Sequence, residues 1–372
     1  MSAGLFIAAG ILAAVMFHEA AHFAAAKAFG MKTTEFFVGF GTKLWSFRKG
    51  ETEYGLKLLP LGGYVRIVGM HPGEEVDPAE EHRTYRGSPF WQKTVVVLAG
   101  IVTNLALGFV LIYSVFVLIG IPGEANTTVA MVLDVDENGE ATAAATSGLM
   151  AGDTIVGYDG LALDEWATFR EYVRARPGVA IDIEIDREGA IVPLTITPGE
   201  RQLEDGEVIG YMGLAPDRVL ERLGVVEGLT VAWPAFTEQV GATVTGLGRL
   251  LNPVNLVGLV GDIAGGETPD PENRPTTVVG IVAAGDEIQQ SFGWAGLLGV
   301  LASLNIVVAL FNLIPVLPFD GGHAAIALYQ KVTGKQANFD RLAPVAIGVI
   351  VLFMGIFLIG LWFDIFAPAP VG

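Results

Sequence analysis

Apolar residues run almost without interruption in four stretches of the chain, at about 3–28, 94–119, 295–317 and 343–366. Each is as long as the roughly 20 residues a helix needs to cross the hydrocarbon of a bilayer. Phe90, Trp91, Trp294, Trp362 and Phe363 stand near their ends, where interfacial aromatics collect. Between the first two stretches, 34–68 alternates apolar and polar positions, with turn signals at Gly39-Phe40-Gly41, Arg48-Lys49-Gly50 and Leu61-Gly62-Gly63. That pattern predicts short strands or hairpins. Much of 56–68 is too apolar for a free loop, so it is expected to dip into the bilayer, where irregular backbone survives only against protein or a wet cavity. Residues 70–89, rich in Pro, Glu and Asp, predict a flexible lid or loop.

The segment 122–217 has a different texture. Short alternating runs at 129–135, 154–158, 180–186 and 191–197 predict strands, and 141–147 and 167–176 predict helical pieces. Its size suits one ordinary domain. The stretch 239–261 contains Arg249 as its one charge and could count as a fifth span. Parity argues against that, because with four spans the first and third run in the same direction and their C-terminal ends share a face. Asn252, Pro253, Asn255 and the glycines favour an interfacial or partly re-entrant helix.

At 372 residues, with 52% hydrophobic and 17% charged, the chain is too apolar for an ordinary soluble enzyme and too interrupted to be membrane throughout. Net charge hides a division: 120–292 holds 28 acidic and 9 basic residues, while the remainder sums to +1. All eight lysines lie beside proposed spans, at 27, 32, 43, 49, 57, 93, 331 and 335. By the positive-inside rule those loops are cytoplasmic, and the N-terminus and acidic region face outward. The first apolar run has no preceding Lys or Arg and is read as a span, not a cleaved leader. Acidity gives no footing for nucleic acid. Without cysteine, any metal here takes imidazole and carboxylate ligands.

Inside the first span stands His18-Glu19-Ala20-Ala21-His22. Histidines at i and i+4 share a helix face and can hold one Zn²⁺, with the glutamate between them as general base. A structural His pair with an incidental Glu is the plain alternative, although ionisable groups at this depth are costly and usually functional. The third span ends Phe311-Asn312-Leu313-Ile314-Pro315-Val316-Leu317-Pro318-Phe319-Asp320-Gly321-Gly322, where two prolines and two glycines are expected to break the helix around one carboxylate. A cation would keep Asp320 ionised, and His18, His22 and Asp320 with one open position make a catalytic zinc site. His323 is a rival ligand whose direction is open, and His71 and His82 are expected to be solvated.

Together these motifs resemble the site-2 protease family of zinc intramembrane proteases, in its bacterial form that carries a PDZ domain and processes anti-sigma factors. The resemblance spans the chain: 18–22, Leu59-Pro60-Leu61-Gly62-Gly63-Tyr64-Val65, a PDZ-like string at 147–160 with 169–173 at the groove helix, and the run 312–322. It implies His18, His22 and Asp320 as zinc ligands and Glu19 as base. It implies a membrane-associated hairpin at Gly62, Gly63 and Tyr64 whose edge holds unwound substrate, with Asn312 and Pro315 as further substrate-facing positions. The family's Ala-Gly-Pro-x-x-Asn is here Ala99-Gly100-Ile101-Val102-Thr103-Asn104, and Asn104 is either an oxyanion donor or a helix-packing amide. After Pro315, Leu317 stands where a proline is common and Phe319 where a leucine is usual.

The expected architecture is a polytopic α-helical membrane protein of about four transmembrane helices, with a membrane-associated β-hairpin and an inserted extracytoplasmic α+β PDZ domain. The parts are 1–121, 122–217, 218–293 as an amphipathic linker, and 294–372. The resemblance places it in a bacterial cytoplasmic membrane with the site toward the cytoplasm, one Zn²⁺ as cofactor, and single-pass membrane proteins such as anti-sigma factors as substrates. A trimmed substrate end would meet the PDZ-like domain. The rival reading is a non-proteolytic PDZ-containing receptor or chaperone with a structural metal; a metal transporter would need more polar sites along its path.

Overall fold

Hydrophobic continuity becomes four helices long and apolar enough to cross a membrane, Ala3–Ala28, Phe90–Ile119, Gly285–Leu313 and Arg341–Phe366. The structure is a computed structural model of the chain. It describes residues 2–70, 74–136, 139–202, 206–252 and 275–366, with scattered positions at 254–261. Two compact units emerge: Met1–Leu118 with Gly224–Gly372, and Ile119–Leu223.

The first unit opens with α1 (Ala3–Ala28), capped by the Ser2 side chain, which accepts from the Leu5 N–H. A long hairpin folded back on itself follows, β1 (Thr33–Lys49) and β2 (Thr52–Ile67), in which 43–49 pairs with 52–57 while 35–38 pairs with both 53–56 and 63–66. Its turn lies at Gly50, as the Arg48-Lys49-Gly50 signal predicts. The other two signals fall where the strands fold back, between 38 and 43 and between 57 and 63. Gly39, Gly41 and Gly62 adopt positive φ within the strands, at 83°, 84° and 141°, and the ladder shifts register around Val38, Phe40 and Lys43. Glycine at such positions lets a strand bend onto a second partner segment. Phe40, Leu44, Trp45, Phe47, Leu58 and Leu59 are exposed on the hairpin, a concentration that soluble surfaces avoid and that suits contact with apolar surroundings.

Ion pairs hold the following segment to the hairpin and to α1. Arg83 and Lys27 both meet Glu51, at 2.9 and 2.7 Å; bonding from Lys27 first, then Arg83, holds the Glu51 carboxyl below its ordinary pKa. Lys32 pairs with Glu80, and Arg66 with Glu74. His82 is exposed, as expected, and His71 lies outside the described residues.

Helix α2 (Phe90–Ser114) runs on through a π-helical turn at Val115–Ile119. Beyond the second unit come α5 (Val225–Leu250), α6 (Val278–Ala283), α7 (Gly285–Leu313), α8 (Asp320–Thr333) and α9 (Phe339–Phe366). Helix α5 packs on α2, with Trp233 and Phe236 against Phe109, and it is not among the four membrane-length helices. Within 239–261, Pro253, Leu256, Leu259 and Val260 lie outside the described residues. Gly293 has non-helical angles within α7, so the straight apolar part begins at Trp294. The third span ends earlier than predicted, at Leu313, since Pro315 and Pro318 stop the helix. Gly321 and Gly322 do not break a helix: they form the first turn of α8.

The second unit is built on the sheet order β10-β3-β4-β6-β7, with β5 paired to β4 and a separate β8–β9 hairpin. These are β3 (Ile121–Val132), β4 (Thr154–Tyr158), β5 (Leu161–Ala162), β6 (Ile181–Arg187), β7 (Ala190–Ile196), β8 (Gly199–Gln202), β9 (Val208–Tyr211) and β10 (Leu214–Glu221), with helices α3 (Ala143–Ser147) and α4 (Trp166–Arg174). Strand β6 shows why: Ile181, Ile183 and Ile185 are buried while Asp182 and Glu184 are exposed, the period-two code of a half-buried sheet. Each buried side chain of this size contributes about 1.5–3 kcal/mol relative to exposure. The three isoleucines join Phe169 and Val173 of α4 in one core. Asp153 clamps the turn before β4, accepting from the Met150 N–H and pairing with Arg187 at 2.7 Å. The Arg187 bond holds its carboxyl below the usual range.

Candidate metal centre

Four turns along α1, two imidazoles face one carboxylate from α8. His18 Nε2 lies 3.0 Å from Asp320 Oδ2 and 3.0 Å from His22 Nε2, and His22 Nε2 lies 3.1 Å from Asp320 Oδ2. His18 and His22 are each 5% exposed. Three donor atoms converging on so small a volume, two of them on buried imidazoles, suit a divalent cation better than a proton network. Nitrogen and carboxylate donors also fit zinc.

The neighbours decide which nitrogen is offered. His22 Nδ1–H donates to the Val96 carbonyl of α2 at 2.7 Å. A carbonyl only accepts, so Nδ1 carries the proton and the Nε2 lone pair points into the cluster, an orientation typical of metal-ligating histidine. Helix α2 comes this close because residue 100 has no side chain. A Cβ there would stand 2.5 Å from His22 Nε2 and 2.6 Å from His18 Cε1.

Glu19 is oriented by the hairpin: its Oε2 accepts from the Val65 N–H of β2 at 3.0 Å. Strand β2 reaches α1 because a Cβ at Gly63 would meet Met16 Sδ at 2.5 Å and Phe37 O at 2.9 Å. Asp320 is placed by the tight 314–319 turn folded onto the start of α8. Side chains at 321 and 322 would strike Ile314 O and Leu317 N, each at 2.5 Å.

The remaining residues singled out by sequence divide. Asn104, one turn beyond Gly100, is fully buried, and neither its Oδ1 nor its Nδ2 has a partner among the described residues. Tyr64 serves the hairpin: its ring stacks on Phe37 at 5.8 Å, and its hydroxyl meets Glu35 and Lys57. Asn312 spends its amide on Val308 O at 3.1 Å, within α7. Pro315 is exposed and lines a cavity between α8 and α9. Among the described residues, the metal-competent group holds His18, His22 and Asp320 and excludes His323, which faces the Tyr85 ring at 6.5 Å. Gly100 and Val96 were missed by sequence reasoning, and Val65 was read only as part of the hairpin edge and not as a partner of Glu19. Gly100 sat in a motif read only for its asparagine, and the other two act through backbone atoms that carry no residue-type signal.

Comparison with known proteins agrees with this geometry. Residues 6–356 match peptidase family M50. The chain is 33% identical to zinc metalloprotease Rip1 of Mycobacterium tuberculosis, over 97% of this chain and 96% of that protein. It is 27% identical to zinc metalloprotease RasP of Geobacillus kaustophilus, over 95% of each. Metalloprotease MmpA of Caulobacter vibrioides is also 27% identical, over 94% of this chain and 92% of that protein. With the match running through both halves of the histidine and aspartate cluster, the chain belongs to peptidase family M50, the site-2 protease family of zinc metalloproteases.

Proposed function

We propose that this protein is a zinc-dependent intramembrane endopeptidase that cleaves transmembrane segments of single-pass membrane proteins. The observation that carries the reading is the convergence of His18 Nε2, His22 Nε2 and Asp320 Oδ2 beside a glutamate on the same helix. His18, His22 and Asp320 hold the zinc. When bound, the ion supplies a Lewis acid that polarises the scissile carbonyl and acidifies water. Glu19 takes the water proton and returns it to the leaving amine. The Val65 N–H keeps that carboxylate aimed, and the unpartnered Asn104 amide is the oxyanion donor. Substrate must unwind before attack, and the β2 edge at 62–65 replaces its lost backbone bonds by strand addition. No fourth histidine or carboxylate joins the group among the described residues. A closed structural zinc site normally has four protein ligands, so the receptor reading lacks support here.

The resemblance and the lysine distribution support a bacterial cytoplasmic membrane, with the site toward the cytoplasm. They likewise support anti-sigma factors already trimmed outside as substrates. The unit Ile119–Leu223 is read as a PDZ domain. A cavity of about 280 Å³ beside Phe169 and Val173 of α4, bounded by residues 209–214, supports a peptide groove there.

The test is cleavage of a synthetic transmembrane segment by purified protein in vesicles. Stripping zinc with a chelator should abolish cleavage and stoichiometric zinc should restore it. Cleavage that persists in metal-free protein would reject the assignment.

A further inference from the structure

Behind the turn that delivers Asp320 lies a cavity of about 430 Å³, within the range of small-molecule sites. Pro315 and Leu317 of the turn form one wall, Ile326 and Tyr329 of α8 another, and Val345 of α9 a third, with Arg341 at its margin. The backbone N–H of Arg341 is bonded by Asn338 Oδ1 at 3.3 Å, whereas its guanidinium forms no ion pair among the described residues.

Depth and charge narrow the occupant. The apolar span of α9 begins at Arg341, so the cavity occupies the first turns of a membrane helix, where headgroups meet acyl chains. Residues 329–346 carry three basic side chains, Lys331, Lys335 and Arg341, against one acidic residue, and both lysines are exposed. An apolar slot with a cationic rim at that depth matches a lipid with negative headgroup charge. We propose that this cavity binds one anionic phospholipid, its phosphate on Arg341 and its upper acyl segment between α8 and α9.

Occupancy would reach the metal centre through packing. Phe353 of α9 meets Phe311 at 5.3 Å and Phe319 at 5.4 Å between ring centroids, and Phe319 caps the helix that starts at Asp320. A lipid wedged between α8 and α9 therefore bears on the turn that sets the aspartate.

Full-length protein reconstituted in phosphatidylcholine nanodiscs with a minor share of phosphatidylglycerol tests this, with retained lipid counted by native mass spectrometry. Wild type should retain phosphatidylglycerol several-fold above its share, and Arg341→Gln should lose that enrichment. Ala325→Phe, which fills the cavity and leaves the charges alone, should lose it too, so a folding defect in either variant does not shield the idea. Melting temperature gives a second readout, rising with phosphatidylglycerol in wild type only. Equal enrichment in wild type and both variants would overturn the site. So would indifference to headgroup charge, or displacement of the lipid by a transmembrane substrate peptide, which would assign the cavity to substrate.

Discussion

At His22 the chemistry is decided by the nitrogen that faces away from the cluster. The Val96 carbonyl accepts a hydrogen bond from Nδ1–H, which leaves the Nε2 lone pair in a fixed direction, fit to serve as a ligand. Gly100 makes that contact affordable sterically, and its replacement is the sharpest residue-level test. Gly100→Ala should push α2 off the histidines and weaken zinc binding by about 10–100-fold, the usual cost of disturbing an outer partner of a ligand. Zinc titration monitored by equilibrium dialysis would show it; wild-type affinity would mean α2 yields without moving the rings. The meeting of His18 and His22 was legible from helical spacing, and that of Asp320 with them from a lone carboxylate set among prolines and glycines. Gly100 was not, because its contribution is the absence of atoms against a helix distant in sequence.

Elements explain where local reading failed. The glycines of the hairpin mark where β1 and β2 fold back, and what one dimension hides is the pairing itself, with 35–38 held between 53–56 and 63–66. Gly321 and Gly322 look like breakers. In space they are the residues that let the 314–319 turn lie on the first turn of α8. The four long helices were legible, with ends shifted by several residues, because continuous apolarity is a strong signal. Strand β2 yields a prediction of its own. The Val65 N–H goes to Glu19 and not to β1, so Val65→Pro removes a donor to the proposed base at an edge position that tolerates proline. Cleavage should fall at least about ten-fold with zinc content intact; a wild-type rate would remove β2 from the mechanism.

For the whole molecule, the acidic segment between the membrane helices was separable by composition. Its compact unit at Ile119–Leu223 was visible in the β6 alternation before any contact was known. Its cavity was legible only on the α4 side, at 169–173, since residues 209–214 close the other side through a contact that no single stretch encodes. If the unit admits only substrates trimmed outside, deleting 125–215 should let the protein cleave untrimmed substrates that wild type spares. An unchanged cleavage pattern would reject a sizing role. The central claim is that one glutamate turns a bound metal into a peptidase within the membrane. The direct measurement is Glu19→Gln beside wild type in vesicles, with zinc content and transmembrane-segment cleavage read from the same preparations. Zinc retained with cleavage reduced by about 10²–10⁴-fold is the predicted result, the usual weight of a general base. Cleavage by the zinc-loaded variant at the wild-type rate would contradict the account.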